Sequence, residues 1–417
     1  MTTLPKATPP SFHLLAKPTG AICNLDCEYC FFLTKEQLYP GSKFRMTDDL
    51  QETYIQQLLA AHQTPEVTIA WQGGEPTLMG LAFFQRSIEL VEKHKKPGQQ
   101  VSHTIQTNGT QLDDDWAKFF KQNHFLVGLS VDGPQPLHDT YRVDKRGRGT
   151  FDQVMQGLKV LQKHQVDVNL LCTVNAANGN HPLTVYRFFR DELKAEFIQF
   201  IPIIERVNED GSTLIQAGNQ VTERSVKPEQ FGQFLNTVFD EWVRRDVGKI
   251  FIQHFDAALA NWVGVPPSVC IFSKTCGNAL ALEHNGDLYC CDHFVEPAYK
   301  LGNIQDTPMI EMVASDRQRQ FGQAKLDTLP QYCRDCAVRF ACNGGCPKNR
   351  FAETPNGEPG LNYLCAGYKA FFTHIDKPMR LMANLLRKGR YADEVMGLIA
   401  QGDRPAKPVG FGTPAKP

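Results

Sequence analysis

The sequence has almost no excess of charge: 44 lysines and arginines stand against 45 aspartates and glutamates. That removes the broad field with which a protein gathers nucleic acid or an anionic membrane surface. No stretch approaches the ~18 consecutive apolar residues of a membrane span. The opening "MTTLPKATPPS" is polar and proline-rich, without the apolar centre of a signal peptide. A cytoplasmic protein that binds neither nucleic acid nor membrane is the expectation. No repeat appears at solenoid periods. One shortage is local: after Cys30 no cysteine occurs until Cys172.

The 417 residues, 42% of them hydrophobic, are enough for a large core and favour two domains over one. From about residue 12 to 205 the pattern alternates. The β-rich runs "FHLLAK", "VTIAWQ", "VSHTIQ", "FLVGLSV", "VDVNLLCTV" and "FIQFIPII" are separated by helical stretches such as "TDDLQETYIQQLLAAH", with Thr47 placed as an N-cap. Six such units argue for an α/β fold with a parallel sheet, two units short of a closed eight-unit barrel. A partial six-unit barrel is expected, with a flat doubly wound sheet as the alternative. Chemistry in such folds sits on loops at the C-terminal strand ends. The loops after the first four strands are "CNLDCEYC", "QGGEP", "QTNG" and "SVDGP", although glycine in such loops also simply makes turns.

The expected organisation is a partial barrel over 12–205, a helical connector over 206–268, a cysteine-rich region of little regular pattern to about 375, and a helix with a Pro/Gly/Lys-rich disordered tail over 376–417. Thirteen cysteines in a long chain without an export signal suggest metal rather than disulfides.

Cys23, Cys27 and Cys30 are spaced C-x3-C-x2-C. Structural zinc takes four protein ligands, whereas a [4Fe–4S] cube takes one cysteine per iron. Three cysteines would leave one iron open. Downstream come Cys270, Cys276, Cys291, Cys333, Cys336, Cys342, Cys346 and Cys365. Eight thiols make two complete cluster sites, or equally two zinc sites by count alone. Cys290 neighbours Cys291 and is left over, and Cys172 reads as a small core residue in a strand.

The C-x3-C-x2-C loop with aromatic Tyr29 before its last cysteine resembles the radical S-adenosylmethionine (SAM) superfamily. That resemblance implies SAM on the open iron and a 5′-deoxyadenosyl radical made from it. It further implies SAM contacts at Gln72, Gly73, Gly74 and Glu75 (with Pro76), at Ser130, at Arg142 pairing with the SAM carboxylate, and at Ile204 and Tyr29 along the nucleoside. Gly74 is singled out because close backbone approach demands a missing Cβ.

The cysteine-rich region resembles the SPASM extension. Through "WQGGEPTL", "LVGLSVDGP", "CCDHFV" and "CNGGC" the chain is similar to the anaerobic sulfatase-maturating enzymes. By that family's pattern one auxiliary cluster takes Cys270, Cys276, Cys291 and Cys346, and the other Cys333, Cys336, Cys342 and Cys365, making three clusters with the first. The family's general base follows the third of these cysteines, which makes it Asp292 here, with His293 the other candidate. The implied reaction is oxidation of a Cys or Ser in an unfolded C/S-x-P-x-R sulfatase segment to Cα-formylglycine, with electrons from a flavodoxin- or ferredoxin-type donor. A SPASM maturase that crosslinks a ribosomal peptide, an electron-transfer protein without SAM chemistry, and a zinc scaffold are the competing readings.

Overall fold

The structure, a computed structural model, describes residues 8–208 and 218–402. Six strands follow one another across the sheet in chain order: β1 (His13–Lys17), β2 (Glu66–Trp71), β3 (Gln100–Thr107), β4 (Phe125–Ser130), β5 (Asp167–Val174) and β6 (Phe197–Pro202). Every adjacent pair is parallel, so all six C-terminal ends share one rim. A doubly wound sheet reverses its strand order midway. This one does not, which favours the partial barrel.

The crossover helices form where capping and apolar spacing agree. In α1 (Asp48–Ala61) the Thr47 hydroxyl accepts from Leu50 N, and Asp48 and Asp49 sit in the first turn beside the positive end of the helix dipole. Its buried face is Leu50, Tyr54, Ile55, Leu58 and Leu59, the spacing of one side of a helix. In α2 (Asp114–Gln122) the Asp113 carboxylate caps the N–H groups of Asp115 and Trp116.

The sheet does not stop at six strands. On one edge β7 (Phe251–Ile252) pairs with β6. On the other, β8 (Ala279–Glu283) runs parallel to β1, residue for residue from His13↔Ala279 to Lys17↔Glu283. Two antiparallel strands, β9 (Asp287–Tyr289) and β10 (Lys300–Asn303), complete a ten-stranded sheet. Three strands therefore lie in the region expected to have little regular pattern. They are only three to five residues long, too short for alternation to show in the sequence.

The connector packs into the barrel core. Helices α3 (Pro228–Arg245) and α4 (Gln253–Val263) bury Phe231, Phe234, Val238 and Phe255 against Leu170, Cys172, Ile198 and Phe200 of β5 and β6. Cys172 is indeed a core residue. The C-terminal helical segment is two helices, α5 (Cys365–His374) and α6 (Asp376–Arg387). The expected disordered tail lies outside the described residues beyond 402. Among the described residues no helix is long and apolar enough to cross a membrane.

Helices α3 and α5 meet at two glycines. A Cβ on Gly367 would lie 2.1 Å from the Pro228 carbonyl oxygen, and one on Gly232 would lie 2.7 Å from Gly367 Cα. This contact sets the position of Cys365, the first residue of α5. Gly367→Ala should therefore cost about 1–3 kcal/mol by overpacking and loosen Cys365 together with α5. The expected readings are a lower thermal midpoint and a lower iron content after anaerobic reconstitution.

Candidate active site and its cysteine sets

Cys23, Cys27 and Cys30 lie in the loop that leaves β1. The loop is held on both sides by backbone hydrogen bonds. Gly74 N donates to Gly20 O at 2.8 Å and Glu75 N to Ile22 O at 2.9 Å, while Asp26 N and Glu28 N reach the carbonyls of Val143 and Tyr141. Leu25 N and Asn108 Nδ2 point at the Cys23 sulfur, at 3.4 and 3.6 Å. Burial pushes the Cys23 and Cys27 thiols up to about 12, so iron would displace their protons on binding.

The glycine segment turns out to serve the protein itself. A Cβ on Gly74 would fall 2.0 Å from the Ile22 carbonyl oxygen, and one on Gly73 (φ +117°) 2.8 Å from Gly20 O. The backbone that crowds both glycines is that of the cysteine loop. Glu75, fully buried, accepts from Thr77 N, Thr77 Oγ1, Thr107 Oγ1 and Asn108 N at 2.7–3.0 Å. It locks the loops after β2 and β3 together. Gln72 continues this strap through its N–H to Ala16 O at 2.9 Å.

Arg142 and Tyr29 meet at a residue the sequence reading passed over. Asp132, at the end of β4 in "SVDGP", accepts from the Tyr29 hydroxyl, from Arg142 Nη2 at 3.1 Å, and from Thr173 N and Oγ1 at 2.9 and 2.7 Å. Burial alone would raise the Asp132 carboxyl, but Arg142 and His138 hold it below its ordinary value. The guanidinium expected to face a SAM carboxylate thus already faces one within the protein. The available signal was an acid at a C-terminal strand end. Ser130 accepts from Gln106 Nε2 at 3.0 Å, and Ile204 is buried in the core beyond β6.

All thirteen cysteines are free, which sets the disulfide alternative aside. Eight of them form two groups. Cys276, pushed up to about 11 by burial, and Cys291, pushed higher, both feel Cys270 and Cys346. Cys342 and Cys365, pushed up to about 12 and about 11 by burial, both feel Cys333 and Cys336. Spacing alone left this grouping open. Cys290 is buried, its backbone bonded to Tyr299 and Gln318. Arg350 lies between the sets, near Cys333 and Cys342 of one and Cys346 and Cys276 of the other. Lys325 Nζ donates to the carbonyls of Cys270 and Ile271 at 2.5 and 3.0 Å. Among the described residues no three His, Cys, Asp or Glu side chains converge to single-ion range.

Asp292 and His293 follow Cys291 in one tight turn, Asp292–Phe294, and face different partners. The Asp292 carboxylate lies 2.7 Å from Lys17 Nζ. Burial opposes its charge, but Lys17 holds it below the ordinary carboxylate value. His293 Nδ1 lies 3.4 Å from the Cys346 sulfur, and burial pushes the ring down to about 4. The imidazole is thus neutral beside a thiol, and the Asp292 carboxylate ionised beside an ammonium. Lys17 escaped the sequence reading, although a lysine ending the apolar run "FHLLAK" was visible.

Comparison with known proteins agrees with this layout. Residues 18–185 match the radical SAM superfamily, and residues 270–337 match an iron–sulfur cluster-binding domain, SPASM. A serine-type anaerobic sulfatase-maturating enzyme from Bacteroides thetaiotaomicron is 46% identical over 397 residues, 94% of this chain and 95% of that one. A cysteine-type enzyme from Clostridium perfringens is 32% identical over 91% of this chain and 100% of its own. The solved structure of anSMEcpe with bound AdoMet and the Cp18Cys peptide superposes with a TM-score of 0.79 at 33% identity, covering 90% of this chain and 99% of that one.

Two substitutions test the protein-internal roles assigned above. Gly74→Ala should lower the thermal midpoint even with no SAM added, whereas a residue needed only for SAM would leave that midpoint unchanged. Asp132→Ala strands a buried arginine and should cost about 3–5 kcal/mol, read as a lower midpoint in the same assay.

Proposed function

The chain belongs to the anaerobic sulfatase-maturating enzymes, radical SAM oxidoreductases that carry a SPASM region, and from that premise we propose that it oxidises a serine or cysteine in an unfolded C/S-x-P-x-R segment to Cα-formylglycine. We assign Cys23, Cys27 and Cys30 to the SAM-binding cluster. Cys270, Cys276, Cys291 and Cys346 take the first auxiliary cluster, and Cys333, Cys336, Cys342 and Cys365 the second, for three in all. Support comes from the grouping of the thiols and from N–H groups aimed at the Cys23 sulfur. When bound, the clusters and SAM supply a hydrogen-abstracting 5′-deoxyadenosyl radical and an acceptor for the second electron.

The chain's own residues supply binding and proton transfer. Tyr29, Gln72, Gly73, Gly74, Glu75, Ser130, Arg142 and Ile204 form the SAM-facing rim. Of these, Gly74, Glu75 and Arg142 act largely by holding the loops that carry it. Asp292 takes the hydroxyl or thiol proton of the substrate residue. The observation that carries this reading is the Asp292–Lys17 contact. It brings an ionised carboxylate, next in sequence to an auxiliary-set cysteine, against the strand that leads into the radical loop. Thirteen free thiols suit a reducing compartment, and we assign a cytoplasmic, flavodoxin- or ferredoxin-type electron donor.

Reconstituted protein should hold about twelve irons, falling to about eight when Cys23, Cys27 and Cys30 are replaced by alanine. Stoichiometric zinc with little iron would overturn the cluster assignment.

Anaerobic incubation with SAM, reductant and a C-x-P-x-R or S-x-P-x-R peptide, followed by mass spectrometry, tests the reaction. A cysteine peptide should lose its sulfur and gain an aldehyde. Sulfur retained in a crosslink would move the chain to the crosslinking maturases. Asp292→Asn should lower formylglycine about 10²–10⁴-fold while deoxyadenosine continues to form. Equal formylglycine in the variant would pass the base role to water or His293.

A further inference from the structure

Lys17 is a buried cation in an unexpected place. It ends β1, is 1% exposed, and sits six residues before Cys23. Its Nζ lies 2.7 Å from Asp292 and 3.1 Å from Glu283, and 4.9 Å from the centre of the Phe32 ring. Glu283 is its direct neighbour across the β1–β8 pair, so the sheet register itself sets that contact. Phe32 lies two residues beyond Cys30. One ammonium therefore touches the radical loop, the sheet and the turn that follows Cys291.

Stability does not account for this arrangement. Replacing a buried ion pair by apolar side chains of similar volume is often neutral or stabilising. Apolar side chains at positions 17, 283 and 292 together would fill the same space. What a lysine adds is a fixed direction: Glu283 holds the ammonium, and the ammonium holds Asp292. The carboxylate arises on a short turn, Asp292–Phe294. A displacement of about 1 Å at a reacting group can cost ~10²-fold in rate.

We propose that Lys17, anchored by Glu283, is a positioning residue that aims the Asp292 carboxylate at the substrate and sets its separation from the radical loop. The proposal rests on Asp292 as the base. It assigns no proton or electron to Lys17, which acts only through its neighbour. Radical generation does not depend on it, so its loss should uncouple deoxyadenosine from formylglycine.

The test uses reconstituted holoenzyme carrying Lys17→Met, Lys17→Arg, Asp292→Asn and the Lys17→Met/Asp292→Asn pair. Formylglycine, deoxyadenosine, iron content and thermal midpoint are measured for each. Lys17→Met should lower formylglycine about tenfold to a hundredfold and leave deoxyadenosine near the wild-type rate. Lys17→Arg should recover part of the loss. The double variant should make no less formylglycine than Asp292→Asn alone, because both changes disable one device. The thermal midpoints should likewise fall by less in the double variant than the two single falls combined.

If Lys17→Met loads too little iron to assay, Lys17→Met/Glu283→Gln, which removes one of the two stranded carboxylate charges, takes its place. Equal falls in both products, multiplicative losses in the double variant, or wild-type formylglycine from Lys17→Met would overturn the proposal. Where Asp292→Asn is impaired and Lys17→Met is not, only the positioning role fails. Where Asp292→Asn is fully active, the base assignment fails and the proposal falls with it.

Discussion

The pairing of β1 with β8 is the contact on which the remainder of the molecule depends. Five residues of one strand meet five of the other in parallel register, with Leu14, Ala16, Leu280 and Leu282 wholly buried. Through this seam the barrel and the cysteine-rich region become one sheet rather than two bodies on a linker. A side chain in a packed sheet has little freedom to drift. The distance from the radical loop to Asp292 is therefore a property of a sheet. That matters for a reaction in which a hydrogen atom, a proton and an electron must leave the same substrate carbon and its heteroatom.

Two buried ionic groups stand on either side of the cysteine loop, and they share a logic. Asp132 gathers Tyr29, Arg142 and Thr173, while Lys17 gathers Glu283 and Asp292. Burying charges is costly, and neither group is the cheapest way to fill its space. Each instead gives a direction to side chains that would otherwise have several rotamers. The first joins the loop after β4 and the end of β5 to the residue just before Cys30. The second joins β1 to the turn after Cys291. The loop between them is thus held from both flanks, and Glu75 closes the remaining side through four hydrogen bonds.

Much of this was legible in the sequence, and the limits have physical causes. Several barrel strands carry apolar runs, such as VTIAW in β2 and NLLCTV in β5, and α1 and α2 carry caps and apolar stripes. Cys23, Cys27 and Cys30 could be read because their ligand spacing is local. The proposed division of the other eight cysteines could not be read from spacing, since it depends on which distant segments fold together: it places Cys346 with Cys270 rather than with Cys342, four residues away. Strands β8, β9 and β10 were missed because short strands rely on neighbours rather than on pattern. Lys17 and Asp132 were missed for a related reason. A single charged residue at a strand end looks like a solvated one until the partner that buries it is known. At Gly74 the crowding visible in the structure comes from the chain's own loop.

The turn that begins at Asp292 shows how closely the two halves of the proposed chemistry are placed. Cys291, Asp292 and His293 are consecutive, yet they face two different surroundings: Cys291 and His293 the thiol group that includes Cys346, and Asp292 the Lys17 ammonium. A tight helical turn rotates each successive side chain by roughly a third of a circle, so adjacent residues can face unrelated surroundings. In the proposed reaction the proton acceptor and the electron acceptor are then separated by direction and not by distance. The substrate carbon need satisfy only one position to reach both. That arrangement asks for a short turn with no insertion between the cysteine and the acid, held by a cation from outside the turn, and β1 supplies that cation.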